Sequence, residues 1–385
     1  MSAAAQVAGS CDARFARVRD AVRENLAQRG EVGAAVAVIV DGRPVVDLWC
    51  GWADAQRTRP WRADTLVNAF SVGKALAGLC VLMLVSRGLL DLDEAVAGRW
   101  PEFGVAGKQA VTVRQLLAHR AGLAAIAREL PEGALYHWET VTSALAEQQP
   151  WWTPGGAHGY HVHTFGFLAG ELVRRVSGEP IGSFLHHQVA DPLGVELSFG
   201  LVRAKRARRA EYAFDAARSS GVAAARPGSR DASLRERAYL NPPGAMGLGT
   251  VNTDAWQDAE LPSANLHADA RGLARVYDAL LSGERALLDP DVLREATSEA
   301  SAGDDLVLGR PSRFGLGFQL SQPERPLGVG GAGFGHFGAG GSLAFADPLA
   351  GVAFAYVMNH GGPQWQDPRN RALIDAVYDA LGAAS

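Results

Sequence analysis

Phe70-Ser71-Val72-Gly73-Lys74-Ala75-Leu76-Ala77-Gly78-Leu79-Cys80-Val81-Leu82-Met83-Leu84-Val85-Ser86-Arg87-Gly88 is the stretch on which the reading of this chain turns. The apolar run closed by a glycine predicts a helix from about Ser71 to Arg87, with Gly88 at its C-cap. Positions i and i+3 share a helix face, so the Ser71 hydroxyl and the Lys74 amine become neighbours. Ser71 falls in the first turn, where unpaired backbone N–H groups and the helix dipole favour developing negative charge. Lys74 is the one charged residue between Ser71 and Arg87. Burying an ammonium there is costly unless it is paired or deprotonated. Desolvation lowers the amine's pKa and lets it accept a proton from the serine, which a guanidinium cannot do. Of 37 basic residues only Lys74, Lys108 and Lys205 are lysines, so this one breaks the chain's habit. The same four residues also read as a serine N-cap followed by a lysine that snorkels to solvent. S-x-x-K is too short to decide between the two.

The surroundings narrow the choice. Upstream, Asp12 to Arg29 has helical spacing, with Phe15, Val18, Val22 and Leu26 on one stripe. Gly33 to Ile39 and Arg43 to Trp49 read as strands joined at Asp41-Gly42, an antiparallel hairpin. Downstream, Val113 to His119 and Phe165 to Val176 are helical patches flanking the Trp152-Thr153-Pro154-Gly155-Gly156 loop. Leu201 to Pro243 lacks periodicity and reads as an exposed loop or lid. Its Lys205-Arg206-Ala207-Arg208-Arg209 run is taken as a solvated basic face. A helix is expected at Ala268 to Leu281, strands at Phe314 to Leu320, Gly341 to Ala346 and Val352 to Met358, and a final helix at Arg369 to Leu381.

That order predicts an α+β fold, an antiparallel sheet flanked by terminal helices plus an inserted helical domain. The expected division is an α/β part from 1–68 and 261–385, with the helical part at 69–260 and a lid-like loop around 201–243. The site is then expected in the cleft between the parts.

Composition removes several function classes. A net charge of -4 with 20% charged residues leaves no basic footprint for nucleic acid or an anionic membrane. Ala75 to Val85 is too short to cross a bilayer, and the first residues lack the basic and apolar regions of a signal peptide. Three cysteines (Cys11, Cys50, Cys80) suit a reducing compartment better than a disulfide scaffold. The expectation is a cytoplasmic protein without nucleic-acid or membrane partners.

Two further groups could join the serine. Tyr160, after the Trp-x-Pro-Gly loop, would need a nearby cation to act as a base, and Lys74 could supply one. Otherwise it is an ordinary buried aromatic. His158, His161 and His163 have a spacing that zinc could use, yet no accompanying metal-site pattern is present, so no metal is expected. The second group is Gly333-Phe334-Gly335-His336-Phe337-Gly338-Ala339-Gly340-Gly341-Ser342. A strand of small residues permits close approach and can offer a backbone N–H to a substrate carbonyl. A plain glycine-rich turn is the other reading.

In this order the three elements resemble the serine β-lactamase and penicillin-binding-protein superfamily, and within it the class C β-lactamase-like carboxylesterases (family VIII). Similar stretches include Val45-Val46-Asp47-Leu48-Trp49, Asp64-Thr65-Leu66-Val67-Asn68-Ala69-Phe70-Ser71, Thr112-Val113-Arg114-Gln115-Leu116-Leu117-Ala118-His119 and Pro262-Ser263-Ala264-Asn265. The resemblance implies Ser71 as acylated nucleophile, Lys74 as its amine and Tyr160 as the base of the second motif. It places His336-Phe337-Gly338 on the third-motif strand and implies an oxyanion hole from the Ser71 and Ala339 backbone N–H groups. Asn265 would line the cleft with His336, Phe337 and Gly338 as a substrate-binding residue. Two departures stand out. Val162 occupies the place of the second motif's asparagine, and His336 that of the third motif's lysine.

A mostly neutral imidazole and a phenyl ring hold a carboxylate poorly at neutral pH. The expected activity is therefore cofactor-free hydrolysis of small neutral, short-chain esters through an acyl-enzyme, with a small-molecule ester or acyl substrate as the partner. The alternatives on the same scaffold are an acyltransferase, a peptidase or peptide cyclase, and a non-catalytic binding protein. An α/β-hydrolase elbow at Ala69 to Gly73 fits poorly, because the preceding chain is an antiparallel hairpin.

Overall fold

The computed structural model describes residues 6–214, 233–282, 287–362 and 366–382. Its main sheet runs in the order β1 (Ala8–Cys11), β3 (Arg43–Gly51), β2 (Gly33–Val40), β12 (Val352–Met358), β11 (Leu343–Asp347), β10 (Phe334–Phe337), β9 (Gln319–Leu320), β8 (Pro311–Phe314) and β7 (Ser301–Asp304). Every pairing in it is antiparallel. The chain's two ends meet where β2 pairs with β12 over seven residues, from Val40↔Val352 to Ala34↔Met358. Both strands are apolar at successive positions because both sheet faces are covered. On one face, α1 (Ala16–Gln28) packs with the last helix, so that Val22, Leu48, Tyr356 and Leu373 share one lining. On the other face, α7 (Ala270–Ser282) packs against β2, β11 and β12, with Ala274 facing Ala37 and Ile39. The last helix is α8 (Pro368–Leu381), and the antiparallel sheet between terminal helices is the expected fold.

Between β3 and β7 the chain is mainly helix and loop. Helix α2 (Val72–Ser86) is apolar around its circumference and accordingly buried from Val72 to Leu84. It packs against α5 (Thr164–Ser177) and touches β10 of the sheet. The helices α3 (Val113–Leu117) and α4 (Trp138–Glu147) back α5, and α6 (Leu234–Leu240) starts from a capping box formed by Ser233 and Glu236. A small second sheet joins β4 (Val67–Asn68), β6 (Leu266–Ala268) and β5 (Leu197–Phe199). Every strand of the main sheet lies outside residues 69–260. On that ground we propose the division into 1–68 with 261–385 and an inserted 69–260.

Three local expectations change. Phe314 to Leu320 is two short strands joined by a turn, with Phe314 paired to Gln319. The edge strand β1 and the strand β7 carry no alternating pattern and were not anticipated. The glycine-rich β10 is a strand rather than a turn and lies inside the sheet, between β11 and β9. Its partner β9 reaches only Gly335, so the His336–Phe337 end is an edge locally. In the expected loop of 201–243, residues 215–232 lie outside the described residues. The described basic run pairs with acids, Lys205 with Glu196 at 2.5 Å and Arg206 with Asp254 at 2.8 Å, as a surface face does.

Candidate active site

The site begins at a strained corner. Phe70 adopts φ 50°, a left-handed conformation that an aromatic residue seldom takes. Its ring packs edge-on to Tyr212 at 4.9 Å. The turn delivers Ser71 to the start of α2, and Lys74 follows one turn on. Lys74 Nζ lies 3.1 Å from Ser71 Oγ and donates to the Ser263 carbonyl at 3.0 Å. The Ser263 hydroxyl in turn accepts from the Gly166 N–H on α5 at 2.7 Å, so the carbonyl that receives the lysine is tied to the helical part. Lys74 is fully buried, and burial pushes its amine well below the usual lysine range. The snorkelling alternative is therefore excluded. Lysine scarcity alone was a loose guide. Lys108 is also buried, but it points at the Val105 and Gln148 carbonyls and serves only to cap loops.

Tyr160 arrives on the loop before α5. Its N–H donates to both Asp305 carboxylate oxygens, at 3.0 and 3.1 Å, and its ring stacks on Phe314 with centroids 5.9 Å apart. Burial raises the phenol above its usual pKa, and a hydrogen bond with Ser71 pulls the other way. Lys74 Nζ sits 4.8 Å from the centre of the Tyr160 ring. Burial thus disfavours the charged form of both groups, which favours the free amine over phenolate as the available base.

The neighbouring histidines have separate duties. His161 holds the Gly159 carbonyl at 2.7 Å through Nδ1 and accepts from the Leu123 N–H at 3.2 Å through Nε2. His158 Nε2 meets Ser312 Oγ at 2.9 Å. No group of His, Cys, Asp or Glu among the described residues is arranged to hold a metal ion. Burial takes His161 down to about 4 and His163 to about 3, so both rings are neutral.

Across the cleft, the end of β10 closes against the Ser71 segment. A side chain at Gly338 would collide with the Ala69 carbonyl, so only glycine lets strand and helix start touch. Phe337, Gly338 and Ala339 line a cavity of about 300 Å³ together with Ser71, Tyr160 and Val162. Gln319 fixes the strand end by accepting from the Phe337 N–H at 3.0 Å.

Two of the expected substrate-binding residues lie outside the cavity lining. His336 is buried behind the wall, with Nδ1 against the Phe337 carbonyl at 2.7 Å, and it does not line the cavity. Its ring stands 6.0 Å from that of Tyr160 and is held neutral by burial. Asn265 is also fully buried. It accepts from Gly200 and Leu261 N–H groups and donates to the Trp256 and Ala259 carbonyls. All four hydrogen-bonding positions of its amide are occupied, so it organises a loop and is not available to substrate.

The sequence reading missed the cations. Arg235, Arg310 and Arg325 line the same cavity, and the Arg325 guanidinium lies 3.5 Å from the Phe337 ring centre. Burial, followed by repulsion from Arg310, brings Arg325 down to about 9, which leaves it charged at neutral pH. It also missed Asp305, which accepts from Tyr160, Val307, Leu308 and Ser312 and sets the tyrosine loop. Nothing in the spacing marks these residues, since each reaches the site from a distant segment.

A cleft with the serine on the helical side and a strand of the antiparallel sheet opposite defines the class, a serine hydrolase with the β-lactamase and penicillin-binding-protein fold. The chain belongs to the β-lactamase family, whose model, described as "Beta-lactamase", matches residues 18–379. It is 35% identical over 365 residues to the esterase/beta-lactamase LipL of Mycobacterium tuberculosis, covering 92% of this chain and 83% of that protein. Among solved structures it resembles a family VIII carboxylesterase, with 37% identity and a TM-score of 0.88 over 97% of this chain and 100% of that one. A penicillin-binding-protein homologue from Caulobacter crescentus is similar at 40% identity and a TM-score of 0.88, with the same coverage. Among the described residues, no helix is long and apolar enough to cross a membrane.

Proposed function

We propose that this protein is a carboxylesterase that hydrolyses small esters with short acyl chains through an acyl-enzyme on Ser71. The observation that carries the reading is the fully buried Lys74 amine, pushed by that burial well below the usual lysine range, 3.1 Å from the Ser71 hydroxyl. LipL and the family VIII carboxylesterase, both esterases by name, support the ester class. A cavity of about 300 Å³ is at the small end of ligand sites, which favours a short acyl group.

In the proposed cycle Lys74, rather than Tyr160, takes the proton as Ser71 Oγ attacks the ester carbonyl. The new C–O bond leaves a tetrahedral oxyanion facing the Ser71 and Ala339 N–H groups. Tyr160, a neutral phenol, passes a proton to the departing alkoxide and recovers one from the Lys74 ammonium, so the C–O bond to the alcohol breaks with protons balanced. Water then attacks the acyl-enzyme by the reverse route, and Ser71 leaves protonated. The expected preference for neutral esters rested on the missing cation at His336. With Arg325 over Phe337 that premise falls, and the proposal is restricted to acyl size.

The test is intact-protein mass spectrometry after brief incubation with p-nitrophenyl butyrate. One acyl adduct on Ser71, absent in Ser71→Ala, together with nitrophenol release by the unmodified protein alone, is the expected result. Release undiminished in Ser71→Ala would overturn the assignment.

A further inference from the structure

The wall opposite Ser71 is not a free loop. Ala339–Gly341 forms a tight turn in which Gly340 has φ 83°, where a side chain would collide with the Tyr212 hydroxyl. Each carbonyl of the turn is held from behind by a remote segment. The Ala339 carbonyl accepts from the Tyr212 hydroxyl at 3.2 Å. The Gly340 carbonyl accepts from Arg369 Nη2 at 2.7 Å and from the Gly362 N–H at 2.8 Å. The Gly341 carbonyl accepts from Asn370 Nδ2 at 3.0 Å.

Arg369 is itself rigidly placed. All five of its N–H donors are used: Nε and Nη2 on the Asp367 carboxylate, Nη1 on Glu31 and the His360 carbonyl, and the remaining Nη2 hydrogen on Gly340. Its side chain is 2% exposed, as is that of Asp367. Two carboxylates thus face one guanidinium, and the Tyr356 hydroxyl closes the network on Glu31. A buried ionic cluster is a poor way to gain stability, since an apolar core of the same volume does as well or better. It is a good way to fix a direction, because a planar fork with every donor satisfied has one orientation.

We infer that Arg369 and Asn370, at the start of the last helix, are positioning residues that aim the Ala339 N–H at the substrate carbonyl oxygen. The inference rests on the proposed role of Ala339 above. The first two residues of α8 after its proline thereby become part of the catalytic apparatus without touching substrate. Lysine cannot replace the arginine, having a single nitrogen for five acceptors. Alanine at Asn370 removes one strut and leaves the ionic network whole.

The experiment compares Arg369→Lys and Asn370→Ala with the unmodified protein by three readouts: hydrogen exchange of peptides covering residues 338–342, kcat and KM for p-nitrophenyl butyrate, and inhibition by a phenylboronic acid. The boronate forms a tetrahedral adduct whose oxygen needs the same N–H. Expected are faster exchange confined to that turn and a kcat loss of about tenfold in Asn370→Ala, larger in Arg369→Lys, with KM within about twofold. Boronate affinity should fall by a factor similar to kcat. Lower melting temperatures with unchanged exchange in the turn, kcat and boronate affinity would overturn the proposal and leave a purely structural role. If Arg369→Lys does not fold, Asn370→Ala decides. Absence of any acyl adduct on Ser71 in the unmodified protein would refute the esterase reading instead, while exchange in the turn would still judge the clamp.

Discussion

Lys74→Met separates the amine's chemical role from its structural cost, and the two effects have opposite signs. The substitution removes the hydrogen bonds to Ser71 Oγ at 3.1 Å and to the Ser263 carbonyl at 3.0 Å. These are worth about 1 kcal/mol each, and leaving the carbonyl without its donor costs roughly 1–3 kcal/mol more. Against this, a buried methionine side chain contributes about 1.5–3 kcal/mol. The variant also escapes the penalty for burying an ammonium, several kcal/mol per ion when the amine is charged. The sign with pH follows from proton binding. The folded-state amine lies well below the 10.5 of an exposed lysine, so the unfolded chain binds more protons between the two values. Stability of the unmodified protein therefore rises with pH across that window and is lost as pH falls through it, whereas methionine has no proton to bind. Near the upper end the terms roughly cancel. Toward the lower end of that window the variant should be the more stable by ~1–3 kcal/mol. Turnover of p-nitrophenyl butyrate should meanwhile drop by about 10²–10⁴. Thermal melts at several pH values and steady-state rates on the same preparations give both numbers. A variant destabilised equally at all pH values would refute the buried neutral amine. Activity within about tenfold of the unmodified protein would refute Lys74 as base.

Tyr160→Phe keeps the stack on Phe314 and removes only the hydroxyl, so kcat should fall by about 10²-fold or more while KM changes little. A fall in KM affinity with kcat preserved would instead make Tyr160 a binding residue. Asn265→Ala should cost stability, about 2–4 kcal/mol for two buried N–H groups and two carbonyls left without partners, with KM for the surviving folded protein unaltered. A raised KM at unchanged melting temperature would return Asn265 to the substrate. Arg325 places a cation beside Phe337, so mono-p-nitrophenyl succinate should show a lower KM than p-nitrophenyl butyrate, and Arg325→Met should reverse the order. A butyrate preference in both proteins would restore the neutral-ester reading.

How much of this was legible before the fold was known depended on how far each partner lies along the chain. Ser71 and Lys74 sit three residues apart on a helix, so their contact follows from helical geometry alone. The β2–β3 hairpin is similarly local and was readable from two strand-like runs flanking the Asp41-Gly42 turn signal. The β2–β12 pairing joins residues more than three hundred apart, yet it could be placed through resemblance, since both strands read as strands unaided. What escaped were side chains whose role is fixed by a distant partner with no pattern of its own. Asp305 reaches the Tyr160 N–H from 145 residues away, and Arg325 sits in a turn-rich stretch that reads as surface. Asn265 erred in the other direction. The motif carried it to the neighbourhood of the cleft, and only the hydrogen-bond count shows that its amide has nothing left to offer a ligand.

The same contrast explains why the charge argument at His336 was incomplete. It compared one position with its counterpart in a motif and treated the missing lysine as missing charge. Electrostatics in a cleft is a property of the cavity, and a guanidinium entering from the turn before β10 brings its charge to the wall that Phe337 lines. Arg325 is brought down to about 9 chiefly by its burial, with a further contribution from Arg310. The Lys74 amine, by contrast, is lowered by its own burial, with no guanidinium contributing. Arg325→Met should therefore reverse the substrate preference and leave the acid limb of kcat/KM, governed by the buried Lys74 amine, in place. An acid limb that moves together with the preference would refute burial as the sole control of Lys74.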